Sequence, residues 1–531
     1  MRRAVAWTWI VVAGVWALGQ GLLARQIPPY GGAPEFVADL AARRAKTMAA
    51  LDAGTVMVLW STPERLYAND VNYEYHPDPN LFYLSGVPEA ETILVLVPGA
   101  RTKNAWLFVR PANTTRELWN GHVPTAAEIT AMSGVENVRV TSAFQPFIEA
   151  LLAGTAPPDF TADQASTEFD ALFAAEKAGT AKLAILERVT AAGGRRGGGA
   201  GAAAPGRAAG AGAGGAAAAP VFTPEPGSHA AWAIDLAKKF PGVTATSVAQ
   251  VLTTQRQLKT PYEQKVLRRS VEISAEAHIE GMRATRPGRW EYEVEAAIEY
   301  WYLKNGAMSW GYPSIVGSGP NATTLHYQAS TRQMKNGDLL LVDAAANFQG
   351  LTGDITRTYP VNGKFTATQR AIYELVLAAQ EAGIAAVKRG GRAADVTDAT
   401  RDVFAKGLYD LGLITENTPG PKQTQQVSWW YPHGPTHGIG LDVHDPLGTF
   451  EPGAAFTIEP GLYIRPDTLE NLPKTPEYEA IVAKLRPAVE KYKNIGVRIE
   501  DSFLFTDTGL VMLSSKTPRA IADLEKIVGK N

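Results

Sequence analysis

Residues 339–358 read LLLVDAAANFQGLTGDITRT, and this stretch decides how the second half of the chain folds. An apolar run ends in Asp343, and a second strand-like run leaves from Asp354. The residues between them include an asparagine, a glutamine and a glycine that favour a turn, so the pattern predicts a β-hairpin. If the turn is centred between positions 348 and 349, the two aspartates face each other with Cβ atoms roughly 5 Å apart.

Two carboxylates this close on an apolar sheet repel each other and are poorly solvated, so a cation is expected between them. No lysine lies beside them in either strand, and Arg357 is displaced along the second, which leaves metal ions as the better counter-charge. Glu459 and Glu500 stand in equally apolar settings, each at the end of a strand-like run. Taken singly, such an acid is more often a turn or cap residue, but the spacing of the set favours metal ligands.

A histidine joins these acids. His437 lies in HGPTHGIG, residues 433–440, where glycine and proline argue against a helix and for a loop that presents imidazoles. Four carboxylates carry a charge of about minus four, which two divalent ions would balance with a bridging hydroxide as the excess anion. Oxygen-rich ligation with one imidazole favours Mn²⁺, although Co²⁺, Fe²⁺ or Zn²⁺ can compete on affinity. Such an ion pair can activate water and polarise a carbonyl.

The composition limits the classes of function. At 531 residues the chain is too long for one typical core, so two folded domains are expected. The 51 Lys and Arg nearly balance the 53 Asp and Glu, so no net field favours nucleic acid or an anionic membrane as a partner. Cysteine is absent, which excludes a thiol nucleophile, a Cys-ligated metal site and disulfide bonds.

The first residues are typical of a secretory signal peptide, which we place at residues 1–25. Two adjacent arginines precede an apolar run over residues 4–13. We therefore expect an exported protein, periplasmic or secreted. An uncleaved membrane anchor is the alternative, because apolar character continues to residue 23, close to the ~20 residues that span a bilayer.

The rest of the chain divides into two predicted domains. Residues 27–246 alternate helical and strand-like stretches, which indicates an α/β domain. Inside it, residues 191–226 are almost entirely Ala, Gly, Pro and Arg, which predicts a disordered insertion. A phosphate-binding loop there would lack its preceding strand and its Lys-Ser/Thr. Residues 247–531 predict helices covering a largely antiparallel sheet, an α+β arrangement within the α/β class.

Local signals mark the elements of the second domain. Thr260 and Glu263 form a capping box before one helix, and Thr366 and Gln369 open another. A further amphipathic helix is predicted over residues 291–304. The strand-like runs cover residues 339–344, 354–361, 455–458 and 497–505.

The ordered set of Asp343, Asp354, His437, Glu459 and Glu500 resembles the five-ligand set of the pita-bread metallopeptidases, which include methionine aminopeptidase, aminopeptidase P and prolidase. Longer stretches resemble the proline-specific branch of this family: DITRTYPVNGKF at 354–365, HGPTHGIGLDVHD at 433–445 and TIEPGLYI at 457–464. The first domain resembles the creatinase/aminopeptidase-P-like amino-terminal domain of the same branch, in DVNYEY at 70–75, NLFYLSGV at 80–87 and ELWNG at 117–121.

The resemblance implies a role for each ligand. Asp354 and Glu500 would bridge two metal ions, Asp343 would complete one site, and His437 with Glu459 would complete the other. Glu459 would also act as the general base.

The resemblance also implies residues around the substrate. His326, His433 and His444 would bond the scissile amide and the developing oxyanion, and would transfer a proton to the proline nitrogen. Arg498, which we group with these catalytic residues, would orient the ligands together with Tyr312 and Tyr463.

The expected activity is that of a dinuclear-metal aminopeptidase, which hydrolyses the amino-terminal Xaa-Pro bond of peptides with a metal-bridged hydroxide. The alternatives are an Xaa-Pro dipeptidase (prolidase) with the same mechanism and a non-catalytic pita-bread binding module. We expect a homo-oligomer, a dimer or a tetramer, and no membrane partner beyond an amino-terminal anchor. Residues 466–494 are longer than the family pattern, and their part from 477 to 493 looks helical.

Overall fold

The computed structural model describes residues 33–187 and 227–530. The predicted signal peptide or anchor and the predicted insertion at 191–226 lie outside the described residues. The described chain divides into two compact units, the first ending at Gln255 and the second beginning at Arg256. The boundary at 246 stays a prediction.

The first unit is built on a mixed sheet that, in the described part of the chain, has six strands. The strands of the whole unit, including a separate hairpin, are β1 (Thr55–Trp60), β2 (Leu66–Ala68), β3 (Val71–Asn72), β4 (Ile93–Leu96), β5 (Ala105–Val109), β6 (Asn137–Val140), β7 (Ala181–Ile185) and β8 (Val243–Ser247). The sheet order is β6-β5-β4-β1-β7-β8, and β2 pairs with β3 in a separate hairpin. The three pairs β5–β6, β1–β7 and β7–β8 are parallel, whereas β1–β4 and β4–β5 are antiparallel.

The first unit also contains helices, some of which pack on this sheet and bury its apolar residues. They are α1 (Pro34–Ala49), α2 (Pro79–Ser85), α3 (Thr114–Asn120), α4 (Ala126–Ser133), α5 (Phe144–Leu152), α6 (Ala162–Glu168), α7 (Asp170–Lys177), α8 (His229–Lys239) and α9 (Ala249–Arg256). One core joins strand residues such as Val58 and Phe108 to Phe147 of α5, Leu172 of α7 and Ala233 of α8. The alternating α/β pattern predicted for this unit is confirmed.

The second unit carries short antiparallel sheets. Its strands are β9 (Ser309–Trp310), β10 (Ile315–Ser318), β11 (Leu339–Asp343), β12 (Ala346–Phe348), β13 (Leu351–Thr352), β14 (Thr356–Pro360), β15 (Ala455–Ile458), β16 (Gly461–Ile464), β17 (Ile495–Arg498), β18 (Asp501–Thr506) and β19 (Gly509–Met512). They form the groups β10-β11-β14, β13-β12-β9, β15-β18-β19 and β16-β17. Every strand pair that the structure describes in this unit is antiparallel, as predicted.

Helices of the second unit cover these sheets. They are α10 (Pro261–Ala284), α11 (Glu291–Lys304), α12 (Ala367–Ala386), α13 (Ala393–Asp410), α14 (Pro421–Ser428), α15 (Pro476–Tyr492) and α16 (Ile521–Ile527). The predicted capping boxes at Thr260 and Thr366 are both present. The helix predicted over 477–493 is α15, which buries Leu485, Val489 and Tyr492 in the core.

Helix α10 fixes the turn region of the first hairpin. Ser270 Oγ donates to the carbonyl of Ala346 at 2.8 Å, and the N–H of Ala346 donates to Ser274 Oγ at 2.9 Å. His278 is fully buried, and its Nε2 lies 2.9 Å from the carbonyl of Ala344. Burial lowers the pKa of His278 to about 4, so the neutral ring donates to this carbonyl, one residue after Asp343.

The hairpin exists, but its register differs from the expectation. Asn347 pairs with Thr352 and Phe348 with residue 351, so the turn is centred between Gln349 and Gly350. Both turn residues have positive φ, 51° and 82°, as a tight two-residue hairpin turn requires. Asp343 therefore faces Thr356.

Asp354 lies before β14 rather than within a strand, so the two aspartates are not cross-strand neighbours. The strand predicted over 497–505 is likewise interrupted. Strand β17 ends at Arg498 and β18 begins at Asp501, with Glu500 in the break. Glu500 forms an isolated bridge with Thr356, which brings the two halves of the unit together.

No helix within residues 33–187 and 227–530 is long and apolar enough to cross a membrane.

Candidate metal centre

The predicted ligands all come from strand ends and the loops beside them. Asp343 is the last residue of β11, Asp354 precedes β14, Glu459 lies in the turn between β15 and β16, and Glu500 lies in the break between β17 and β18. His437 lies in an irregular loop, as its glycines and proline predicted.

Three of these side chains form the centre of the cluster. Asp354, His437 and Glu500 each offer one ligand atom, and the three atoms lie within 4.8 Å of one another. His437 Nε2 is 3.5 Å from Asp354 Oδ2 and 3.2 Å from Glu459 Oε1. Glu459 therefore belongs to the same group through His437.

Asp343 and Asp354 are not paired by the hairpin, but Tyr312 connects them. Its hydroxyl lies 2.7 Å from Asp343 Oδ1 and in short contact with Asp354 Oδ1. Arg498 adds the nearest fixed positive charge, with Nη2 2.5 Å from Asp343 Oδ2. All five predicted ligands thus lie in one connected group, together with predicted Tyr312 and Arg498.

The excess negative charge of the cluster contributes to raised pKa values of two carboxyl groups. Burial, together with the charges of the neighbouring acids, raises the pKa of Asp354 well above its usual range. Burial and the same neighbours also raise the pKa of Glu500. Glu500 Oε1 is buried and has no hydrogen-bond partner among the described residues. An orphaned carboxylate oxygen aimed at like charges needs a cation.

His437 and Glu459 form an ion pair in the metal-free cluster. Burial disfavours both charges, but the hydrogen bond and the mutual attraction outweigh it. As a result, the pKa of His437 rises to about 9 and that of Glu459 falls to about 2. The Nδ1 of His437 lies 2.9 Å from the carbonyl of Gly438, so Nδ1–H can donate there. Nε2 is then left facing the carboxylates, in the orientation that a metal ligand needs.

A second loop contact fixes the position of His444. Its ring lies against that of His437, with 4.1 Å between the ring centroids. The N–H of Asp445 donates to the carbonyl of Gly438 at 2.8 Å, which closes the loop between the two histidines. The buried Asp445 carboxylate is paired with Lys259 at 2.6 Å and also with Arg256. This buried cluster was not anticipated from the sequence.

His433 belongs to a relay of hydrogen bonds that reaches the metal ligands. Its Nε2 lies 2.9 Å from Tyr463 Oη, which accepts from Arg498 Nη1 at 2.7 Å. Since the Tyr463 hydroxyl accepts from Arg498, its own proton is available to His433. Burial raises the pKa of Tyr463 to about 12 and lowers that of His433, which keeps both groups neutral.

His326 lies in an exposed loop of the second unit. The carbonyl of its neighbour Leu325 is 3.5 Å from Arg498 Nη2, so the loop lies beside the cluster.

Two further residues support the ligands and were missed by sequence reasoning. Thr356 Oγ1 donates to Glu500 Oε2 at 2.6 Å. In the strand predicted over 354–361 it stands two residues after Asp354, which would put both on one face and was an available signal. Ser502 Oγ accepts the N–H of Asp354 at 2.9 Å. The pairing of these distant segments leaves no local signal in the sequence.

The donor set fits divalent ions. Oxygen atoms dominate, one imidazole has its second nitrogen fixed, and an unsatisfied buried oxygen points into the group. The fold and this cluster define the class of the protein as a metalloenzyme with a hard, oxygen-rich site.

Comparison with known proteins identifies the family. Residues 265–507 match the model of metallopeptidase family M24, and residues 40–157 match that of the aminopeptidase P amino-terminal domain. The chain belongs to metallopeptidase family M24, whose members carry divalent ions in a dinuclear site. The resemblance and the fold class expected from the sequence are confirmed.

Individual relatives cover different shares of the chain. The Xaa-Pro aminopeptidase of Haemophilus influenzae is 30% identical over 500 residues, 92% of this chain and 96% of that protein. The human Xaa-Pro dipeptidase is 32% identical over 296 residues, 51% of this chain and 59% of that protein. The structure of aminopeptidase PepP from Pseudomonas aeruginosa superposes with a TM-score of 0.71 at 28% identity, covering 93% of this chain and 98% of that one.

Proposed function

We propose that the chain is an aminopeptidase that hydrolyses the amino-terminal Xaa-Pro bond of peptides. The observation that carries this proposal is the match of both units to Xaa-Pro aminopeptidases along nearly their whole length, combined with a complete set of ligand types in one buried group. A non-catalytic binding module needs neither feature.

We assign the metal positions as the family resemblance implies. Asp354 and Glu500 would be shared by two ions, Asp343 would complete one site, and His437 and Glu459 would complete the other. We propose Mn²⁺ as the native metal because oxygen ligands dominate. When bound, such a pair lowers the pKa of water and polarises the scissile carbonyl.

The chain's own residues supply proton transfer and positioning. The N–H of neutral His444 can donate to the scissile carbonyl as negative charge develops on it. The one N–H of neutral His433 is at Nδ1, 2.9 Å from the carbonyl of Gly434, while its Nε2 accepts from Tyr463, so this ring keeps a fixed orientation beside the substrate. Burial, together with the nearby charge of His437, lowers the pKa of His444 to about 4, so this ring is neutral near neutral pH. Glu459 takes the general-base role. A prolyl nitrogen has no N–H and must be protonated to leave, so we assign this proton transfer to the histidines that line the site.

The aminopeptidase proposal is favoured over the dipeptidase because the first unit is also matched. The human dipeptidase aligns with about half of this chain, whereas the bacterial aminopeptidase aligns with nearly all of it. Metal-loaded enzyme should cleave Ala-Pro-Ala and longer peptides. Cleavage of Ala-Pro alone, with Ala-Pro-Ala intact, would establish the dipeptidase instead.

Two further proposals concern the whole protein. The charged start and apolar run of residues 1–25 support export, and amino-terminal sequencing of the protein from fractionated cells tests it. A mature chain that begins at Met1 in the cytoplasmic fraction would contradict export.

A dimer or tetramer is the proposed assembly, and light scattering coupled to size exclusion measures it directly.

A further inference from the structure

The exposed loop that carries His326 has a buried polar anchor that the mechanism above does not use. The loop follows β10 and runs to residue 332, through a short 3₁₀ helix at Gly319–Thr323. An exposed loop is mobile unless its backbone and side chains are bonded to the rest of the protein. The group that holds this one is Glu291, the first residue of α11.

Glu291 is fully buried, with 0% of its surface exposed. Its Oε1 accepts from the Ser318 N–H at 2.6 Å, from Ser318 Oγ at 2.7 Å and from Asn321 Nδ2 at 3.0 Å. Its Oε2 accepts from Tyr327 Oη at 2.9 Å and from the Arg332 N–H at 3.0 Å. One carboxylate therefore bonds the loop at both of its ends and beside His326.

The chemistry of this anchor demands a carboxylate. Both oxygens of Glu291 face donors, so an amide at this position would turn its NH₂ group toward other donors. A buried carboxylate is retained only when its lone pairs are satisfied, and here the loop supplies the donors. The loop and the anchor thus depend on each other.

Of the residues that donate to Glu291, Tyr327 lies closest to His326 in sequence. Its ring packs with Leu325 against Leu341 of β11 and Tyr463 of β16, so residues on both sides of His326 are fixed. Leu325 also offers its carbonyl to Arg498 at 3.5 Å. None of these contacts involves a residue assigned as a metal ligand.

We propose that Glu291 is a positioning residue that holds the segment of His326 beside the metal centre by bonding the loop at Ser318, Tyr327 and Arg332. The proposal rests on the proposed function for the role of His326 itself. The anchor serves substrate contact and leaves the metal sites unchanged.

A double-mutant cycle tests the coupling. Tyr327→Phe removes one hydrogen bond of the anchor and preserves the ring packing, which avoids the unfolding that Glu291→Gln risks. In the wild-type background it should lower kcat/KM for Ala-Pro-Ala about fivefold to tenfold. In the His326→Ala background it should have no further effect, because the residue that it positions is absent. Independent, multiplicative losses in the two backgrounds, or no loss at all, would overturn the proposal.

Matched controls separate positioning from general damage. Tyr262→Phe also removes a half-buried hydroxyl bonded to a side chain, Gln349 Oε1 at 3.0 Å, and should leave kcat/KM unchanged. The metal affinity of Tyr327→Phe should equal that of the wild type, and a fall in metal affinity would contradict the proposal.

Hydrogen exchange gives a readout that needs no activity. Amides of residues 324–332 should exchange faster in Tyr327→Phe, while those of the loop at 437–445 should not change. Unchanged exchange at 324–332 would overturn the anchor even if the enzyme is active. If the metal-loaded wild type cleaves no Xaa-Pro bond, the proposed function and the role of His326 both fail. The exchange result then decides by itself whether Glu291 anchors the loop.

Discussion

At the scale of single residues, the site is organised by charges that cannot be satisfied without metal ions. Asp354 and Glu500 have raised pKa values because burial and neighbouring acids oppose their ionisation. His437 instead carries a proton that pairs it with Glu459. These shifts favour the protonated forms of the groups, and metal binding, which needs deprotonated ligands, should therefore release protons.

Metal affinity should accordingly depend on pH. Because the pKa of His437 is raised to about 9, its proton competes with the metal at neutral pH, and affinity should rise as pH increases toward that value. The raised pKa values of Asp354 and Glu500 act in the same direction. Calorimetric titration with Mn²⁺ in buffers of different ionisation enthalpy should show proton release. Affinity that does not change between about pH 6 and pH 8 would contradict this account.

Tyr312 should matter for metal binding although it is not a ligand. Its hydroxyl lies within hydrogen-bond distance of both Asp343 and Asp354, so Tyr312→Phe removes the polar group that connects these two side chains. We expect metal affinity to fall roughly tenfold to a hundredfold, as is typical for groups that orient ligands. Tyr302→Phe is the control, because that buried hydroxyl has no hydrogen-bond partner within the described residues. Equal affinities for the two variants would show that the Tyr312 bond is unimportant.

Among the helices and strands, features set by residues close in sequence were easier to predict than the pairing of distant segments. The caps at Thr260 and Thr366 and the helix over 291–304 were readable because each depends on residues a few positions apart. The hairpin was predicted but its turn was placed one position too early, because several residues near Gln349 can turn the chain. This one-residue error made Asp354 the expected partner of Asp343, whereas the structure pairs Asp343 with Thr356.

The bridge between Thr356 and Glu500 could not be predicted from residues close in sequence. It joins segments far apart in sequence, and the bond of Thr356 to Glu500 has no local pattern. The family resemblance supplied the five ligands as a set. It did not supply the supporting groups, such as Ser502, that only the folded chain brings beside them.

The junction of β14 and β18 depends on a buried ion pair. Arg357 and Asp501 are both fully buried and lie 2.6 Å apart, directly beside Thr356 and Glu500. Asp501→Asn leaves the arginine without its counter-charge and should lower the free energy of unfolding by about 3 to 5 kcal/mol. Urea denaturation of the metal-free protein measures the change. The exposed pair Arg465–Asp467 is the control, since Asp467→Asn should change stability by less than about 1 kcal/mol.

At the scale of the whole molecule, the two units contribute differently to the proposed activity. The second unit holds every residue assigned to the metal centre, within the M24 match at 265–507. The first unit matches the aminopeptidase P amino-terminal domain, and the human dipeptidase aligns with only 51% of this chain. The preference for peptides longer than two residues is therefore a prediction about the complete protein.

A pair of divalent ions that joins the buried acids should make the chain an Xaa-Pro peptidase. The test is to titrate chelator-treated protein with Mn²⁺ and to follow Ala-Pro-Ala hydrolysis at each addition. We predict no activity without metal, full activity at two ions per chain, and none at any metal concentration for an Asp354→Asn, Glu500→Gln double variant. Activity that survives chelation, or fully loaded wild-type enzyme that leaves the Ala-Pro bond intact, would contradict the claim.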